Sequence, residues 1–165
     1  MTFKKDLIAG LSKKNKTIPS KYHYDYQGSK YFEKITRQKE YYPTRKEKEI
    51  LKKISKKLPK MFNGNLSFCE IGSGAVDKIK ILINKNVKFY FPIDISAKFI
   101  RKASKKLKIK YPRLKIIPVI ADYNKPFKII NFKKTTKVFF FLGSSIGNFH
   151  PGEDVKFLRN LSKCI

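Results

Sequence analysis

The chain has 165 residues, 41% of them hydrophobic and 14% aromatic, which suits one packed core and excludes a disordered chain. No apolar run approaches the roughly 20 residues that span a bilayer, the first residues lack the hydrophobic stretch of a secretory signal, and two cysteines, Cys69 and Cys164, form neither a disulfide framework nor a metal-ligand set. The formal charge of +27 comes from 34 lysines and only five arginines spread along the whole length. That pattern fits a solvated lysine surface better than a specific nucleic-acid interface, where arginine is the bidentate reader. A cytoplasmic monomer with no metal, no membrane contact and no specific nucleic-acid partner is expected.

Phe3, Leu7 and Leu11 recur at helical spacing and predict a short amphipathic helix over residues 3–12. A loop punctuated by Pro19 and Gly28 follows, then Ser29 as the N-cap of a helix burying Phe32 and Ile35. Thr44 and Glu47 read as a capping box opening a helix that buries Ile50, Leu51, Ile54 and Leu58. Asn63-Gly64-Asn65 closes this helical prefix, so residues 1–65 and 66–165 are read as two parts.

From Leu66 the pattern changes to strands alternating with helices. Strands are predicted over 66–71, 87–93, 114–120 and 137–142, with helices over 77–84 and after Ser96, the latter burying Phe99, Ile100, Ala103 and Leu107. The fourth strand is almost continuously apolar, which predicts a central place in the sheet. Pro151, Glu153 and Asp154 open a last helix with Val155, Leu158 and Leu161 inward. The expected class is α/β, a doubly wound, mostly parallel sheet with ligands at the carboxyl ends of its strands. Such sheets continue past a fourth strand, so the sequence reads as a truncated domain whose C-terminal strands are missing.

The segment Phe68 to Gly74, F-C-E-I-G-S-G, is an apolar strand ending in Gly-x-Gly, the turn that brings backbone close to a nucleotide-like ligand. A dinucleotide fingerprint needs a third glycine, and Asp77 stands in its place. Asp77 and Glu70 would repel a pyrophosphate. S-adenosylmethionine (SAM) instead carries a sulfonium, an ammonium and a ribose diol, all of which carboxylates stabilise. Asp94 ends the second strand 24 residues after Glu70, the spacing of a ribose-binding acid. Asp122, followed by the ring of Tyr123, ends the third. Glu70, Gly72, Gly74, Asp94, Asp122 and Tyr123 therefore point to one crevice for an adenosyl group. Asn148, in the small-residue loop after the fourth strand, reads either as a group that orients an amine or as a turn former.

Residues 24–36, Y-D-Y-Q-G-S-K-Y-F-E-K-I-T, and residues 40–45, E-Y-Y-P-T-R, together with E-I-G-S-G and L-G-S-S-I-G-N, occur in an order that resembles the histidine-specific methyltransferase family. The resemblance spans essentially the whole chain, with Tyr31 in place of the usual Leu and Ser145 in place of Thr. It implies a Rossmann-like class I methyltransferase fold and SAM-dependent methylation of the α-amino nitrogen of histidine, the route to hercynine and ergothioneine. Matching positions imply that Tyr24, Tyr41 and Asn148 line the amino-acid pocket, and that Gly72, Lys78, Asp94, Asp122 and Tyr123 hold the methyl donor, Lys78 at its carboxylate. Two other readings stand beside this one. The first is a basic RNA-associated methyltransferase or binding protein, against which the sequence offers G-S-S-I-G-N-F where base-amine methylases carry Asn-Pro-Pro-Tyr or Asp-Pro-Pro-Tyr. The second is an inactive remnant.

Overall fold

The computed structural model describes residues 3–130 and 134–163; Cys164 lies outside them. Three helices lead in: α1 (Phe3–Leu11), α2 (Tyr26–Ile35) and α3 (Pro43–Met61). The strands are β1 (Asn65–Ile71), β2 (Val87–Asp94), β3 (Lys115–Ile116), β4 (Val119–Ile120) and β5 (Thr135–Phe141), with α4 (Ala97–Lys110) after β2 and α5 (Glu153–Ser162) after β5. The sheet runs β3-β2-β1-β5, with β4 also on β2, and every pairing is parallel.

Period-2 alternation in β1 and β2 sends side chains to two cores. Leu66, Phe68 and Tyr90 pack with Leu51 and Leu58 of α3 and Leu107 of α4 on one face. Cys69, Ile71, Phe91 and Ile93 pack with Phe157 of α5 on the other. Helices thus cover both faces, which is the doubly wound arrangement. No helix among the described residues is long and apolar enough to cross a membrane.

Several elements depart from expectation. The N-cap of α2 is Asp25, whose carboxylate accepts the Gly28 N–H at 2.7 Å. Ser29 is instead a buried residue inside that helix, while Ile35 is exposed. Thr44 and Glu47 make no capping box, because α3 starts at Pro43 and Glu47 is used elsewhere. On α3, Leu51 and Leu58 are buried as expected but Ile50 and Ile54 face outward. The helix expected over 77–84 shrinks to one 3-10 turn, Ile79–Ile81, after Val76 adopts φ +53°. The third strand breaks into β3 and β4 around Pro118, which has no N–H for the ladder. Among the described residues β5 pairs with β1 alone, and all its side chains but the exposed Thr136 are half-buried. In α5 the buried side chain is Phe157, while Val155 and Leu158 are exposed.

Candidate functional site

A cleft opens at the carboxyl ends of β1 and β2, where a parallel sheet presents its loops. Its floor is the glycine turn. Gly72 and Gly74 sit at φ +63° and +51°, a region a side chain resists, and the Gly72 N–H is tied to the Ile93 carbonyl at 2.9 Å. A Cβ at Gly74 would meet nothing within 4 Å, and one at Gly72 only Tyr123 Cε1 at 3.8 Å. The turn therefore presents bare backbone to the cleft.

Asp94 stands at the end of β2 with its carboxylate nearly buried. Oδ2 accepts the Gly74 N–H at 3.0 Å and Oδ1 accepts the Ser96 N–H at 2.9 Å. Burial pushes its pKa above the ordinary carboxylate value, against the pull of these backbone donors. Each oxygen keeps acceptor capacity for a ligand. Asp122 lies on the same cleft; Oδ1 accepts the Asn124 N–H at 3.1 Å and Oδ2 is 3.5 Å from Lys21 Nζ. The Tyr123 ring faces the glycine turn and packs edge-on against Phe141 at 5.5 Å and Phe157 at 5.9 Å.

Lys78 also lines the cleft, with its ammonium 2.6 Å from Glu47 of α3. Tyr24, in the turn over Ser20–Tyr24, also lines the cleft. Burial, then the nearby Tyr41, raise its hydroxyl pKa, so it remains a neutral donor. Asp77 lines the rim and is ion-paired with Lys80.

Gly72, Gly74, Lys78, Asp94, Asp122, Tyr123 and Tyr24 thus share one cleft. Three expected residues do not line it. Glu70 is buried beneath the floor and accepts a hydrogen bond from the Tyr90 hydroxyl. Tyr41 packs edge-on against Phe32 at 6.1 Å, behind the cleft wall. Asn148 is exposed and lines an adjoining cavity that meets the cleft at Lys21, Tyr123, Asn124 and Ser145. Sequence alone did not single out Lys21 or Ser73, and it gave Glu47 a capping role instead of a place at the site. Ser73 lies inside the quoted motif, whereas Lys21 is one lysine among 34 and nothing local singles it out.

This residue set fits SAM on a structural ground. Ser73 Oγ lines the cleft, is buried, and has no hydrogen-bond partner among the described residues, which marks a place for a ligand polar atom. No cluster of metal-ligating side chains occurs among the described residues.

The model of histidine-specific, SAM-dependent methyltransferases matches residues 3–165. This chain belongs to that family. Among its relatives within and around the histidine-specific methyltransferases, histidine N-alpha-methyltransferase of Mycobacterium tuberculosis is 32% identical over 98% of this chain and 51% of its own. The enzyme of the same name from Mycolicibacterium smegmatis is 33% identical over 96% and 50%. The 4-dimethylallyltryptophan N-methyltransferase of Claviceps purpurea is 25% identical over 94% and 48%. The chain spans about half the length of these curated relatives. In structure it resembles magnesium protoporphyrin IX methyltransferase from Synechocystis, solved with bound S-adenosylhomocysteine, at a TM-score of 0.65 and 15% identity over 87% of this chain and 65% of that one. That likeness gives the fold: a Rossmann-like methyltransferase sheet.

Proposed function

We propose that this chain forms the methyl-donor side of a SAM-dependent N-methyltransferase whose acceptor is the α-amino nitrogen of an amino acid, histidine first. The observation that carries this is the convergence of Gly72, Gly74, Asp94, Asp122 and Tyr123 on one cleft that Tyr24 also lines. Residues 66–165 supply the donor site in this reading, and the helical prefix over 1–65 covers its acceptor side.

When bound, SAM supplies a methyl group made electrophilic by its sulfonium. The chain's own residues bind and orient. The glycine turn admits close approach of the ligand to backbone, Asp94 accepts from a diol, and Asp122 and Tyr123 offer an acceptor and a ring to a base. Lys78 suits a carboxylate, and Ser73 Oγ has a donor and acceptor to give. Tyr24, held protonated, donates to an acceptor molecule, while Asn148 serves from the adjoining cavity. In-line methyl transfer depends mainly on alignment, and holding two reactants in attack geometry is worth roughly 7 to 11 kcal/mol. No general base is needed, since the amine can lose its proton to water between transfers.

Mass spectrometry of histidine and other amino acids after incubation with the chain and SAM tests the acceptor, and calorimetry with SAM tests the donor. Methyl gain on histidine is expected. SAM binding with methyl transfer to RNA and none to amino acids would sink the acceptor reading. Binding without any turnover would leave the donor reading standing and remove the acceptor one.

A further inference from the structure

Glu47 reaches the cleft wall from α3 and uses both carboxylate oxygens there. Oε2 lies 2.6 Å from Lys78 Nζ, and Oε1 accepts the Gly143 N–H at 2.5 Å. Lys78 and Gly143 both line the cleft and lie against each other, since a Cβ on Gly143 would stand 2.8 Å from Nζ. One side chain therefore ties together a helix, the loop after β1 and the loop after β5. The Glu47 and Lys78 side chains are each only 22% exposed, so the pair is partly desolvated.

We propose that Glu47 is a positioning residue that fixes the Lys78 ammonium at the cleft wall, ready for the carboxylate of the methyl donor's amino-acid moiety. The inference rests on the reading of the cleft as the donor site and of Lys78 as the carboxylate's partner. A lysine stem is flexible and its ammonium has three donors. Glu47 takes one and sets the direction of the other two. Glu47 also resembles a competitor, an anion on the cation that a ligand would want. Its second oxygen decides between the two roles: leaving Lys78 would strip the half-buried Gly143 N–H of its acceptor, and an orphaned donor is costly. Glu47 therefore stays when the ligand arrives.

The test is calorimetric binding of two probes to the chain and to its Glu47→Gln, Lys78→Met and doubly substituted variants. SAM carries the amino-acid moiety on a sulfonium; 5′-deoxy-5′-methylthioadenosine keeps the adenosine, has a neutral thioether in place of the sulfonium, and lacks that moiety. The Lys78→Met background therefore separates the effect on Lys78 from any effect on the sulfonium charge. Glu47→Gln is expected to weaken SAM roughly tenfold, the scale of losing one oriented charge-assisted contact. It should leave methylthioadenosine unchanged and add nothing in the Lys78→Met background. Equal weakening of both probes would assign Glu47 a purely structural role and overturn the proposal. Unchanged or tighter SAM binding by Glu47→Gln would overturn it too, the latter by making Glu47 a competitor. Failure of the unsubstituted chain to bind either probe would instead remove the donor-site reading, and this proposal with it.

Discussion

The Tyr90 hydroxyl donates to Glu70 Oε2 beneath the glycine turn, with both side chains buried. Burial pushes the Glu70 pKa up to about 7 from an ordinary 4.5, with the Tyr90 hydrogen bond and then Lys78 pulling the other way. The folded state thus keeps a proton between pH 4.5 and 7 that the unfolded state has released. Stability from this group is complete below pH 4.5 and declines as pH rises through 7, by about 3 kcal/mol in all. Denaturant titrations of the chain and of Glu70→Gln should diverge across that window, the variant becoming relatively more stable as pH rises. Parallel curves would contradict this.

Two α3 substitutions separate its inner face from its outer one. Leu58 is 4% exposed and Ile50 56% exposed. Leu58→Ala is expected to cost about 2 to 5 kcal/mol of unfolding free energy, and Ile50→Ala within about 0.5 kcal/mol. Urea midpoints check both, and similar losses would mean the helix is rotated.

Gly72→Ala should separate stability from binding. The left-handed backbone costs an alanine about 1 to 2 kcal/mol, and the added methyl group enters open space 3.8 Å from Tyr123. Unfolding should register only the first cost, while SAM affinity falls further because the methyl group occupies the cleft. Unaltered SAM affinity in this variant would argue that ligands do not approach the turn.

Lys21 joins Asp6 of α1 at 3.0 Å to Asp122 of the cleft at 3.5 Å. The Tyr22 hydroxyl and then Lys21 hold the Asp6 carboxyl below the ordinary range, so stability from Asp6 is present above that range and lost as pH falls through the lowered value. Lys21→Met should speed amide hydrogen exchange in α1 and over residues 20–24 while leaving β1 and β2 protected. Uniform acceleration through the sheet would show that the pair supports the whole fold instead.

How far the sequence carried depended on the range of each signal. β1, β2 and α4 were legible because their apolar periods are local and uninterrupted. The break at Pro118 carries a local mark, since a proline inside a run demotes it as a strand, and the single strand expected over 114–120 took no account of it. The short turn at Ile79–Ile81 was not legible, because nothing local announces that Val76 will adopt positive φ. Thr44-x-x-Glu47 has the spacing of a capping box, yet Glu47 is taken by Gly143 and Lys78, 96 and 31 residues away. Spacing cannot distinguish a local partner from a distant one. In the site, the acids at strand ends converge because parallel strands end together, whereas the placing of Tyr41 and Asn148 depends on loops whose course no periodicity encodes.

The Tyr123 ring belongs both to the cleft wall and to the cluster with Phe141, Phe149 and Phe157. Cleft and last helix therefore share one energetic ledger: a molecule that stills this ring also steadies α5, and a lesion that loosens Phe157 is felt as weaker occupancy of a cleft it never touches.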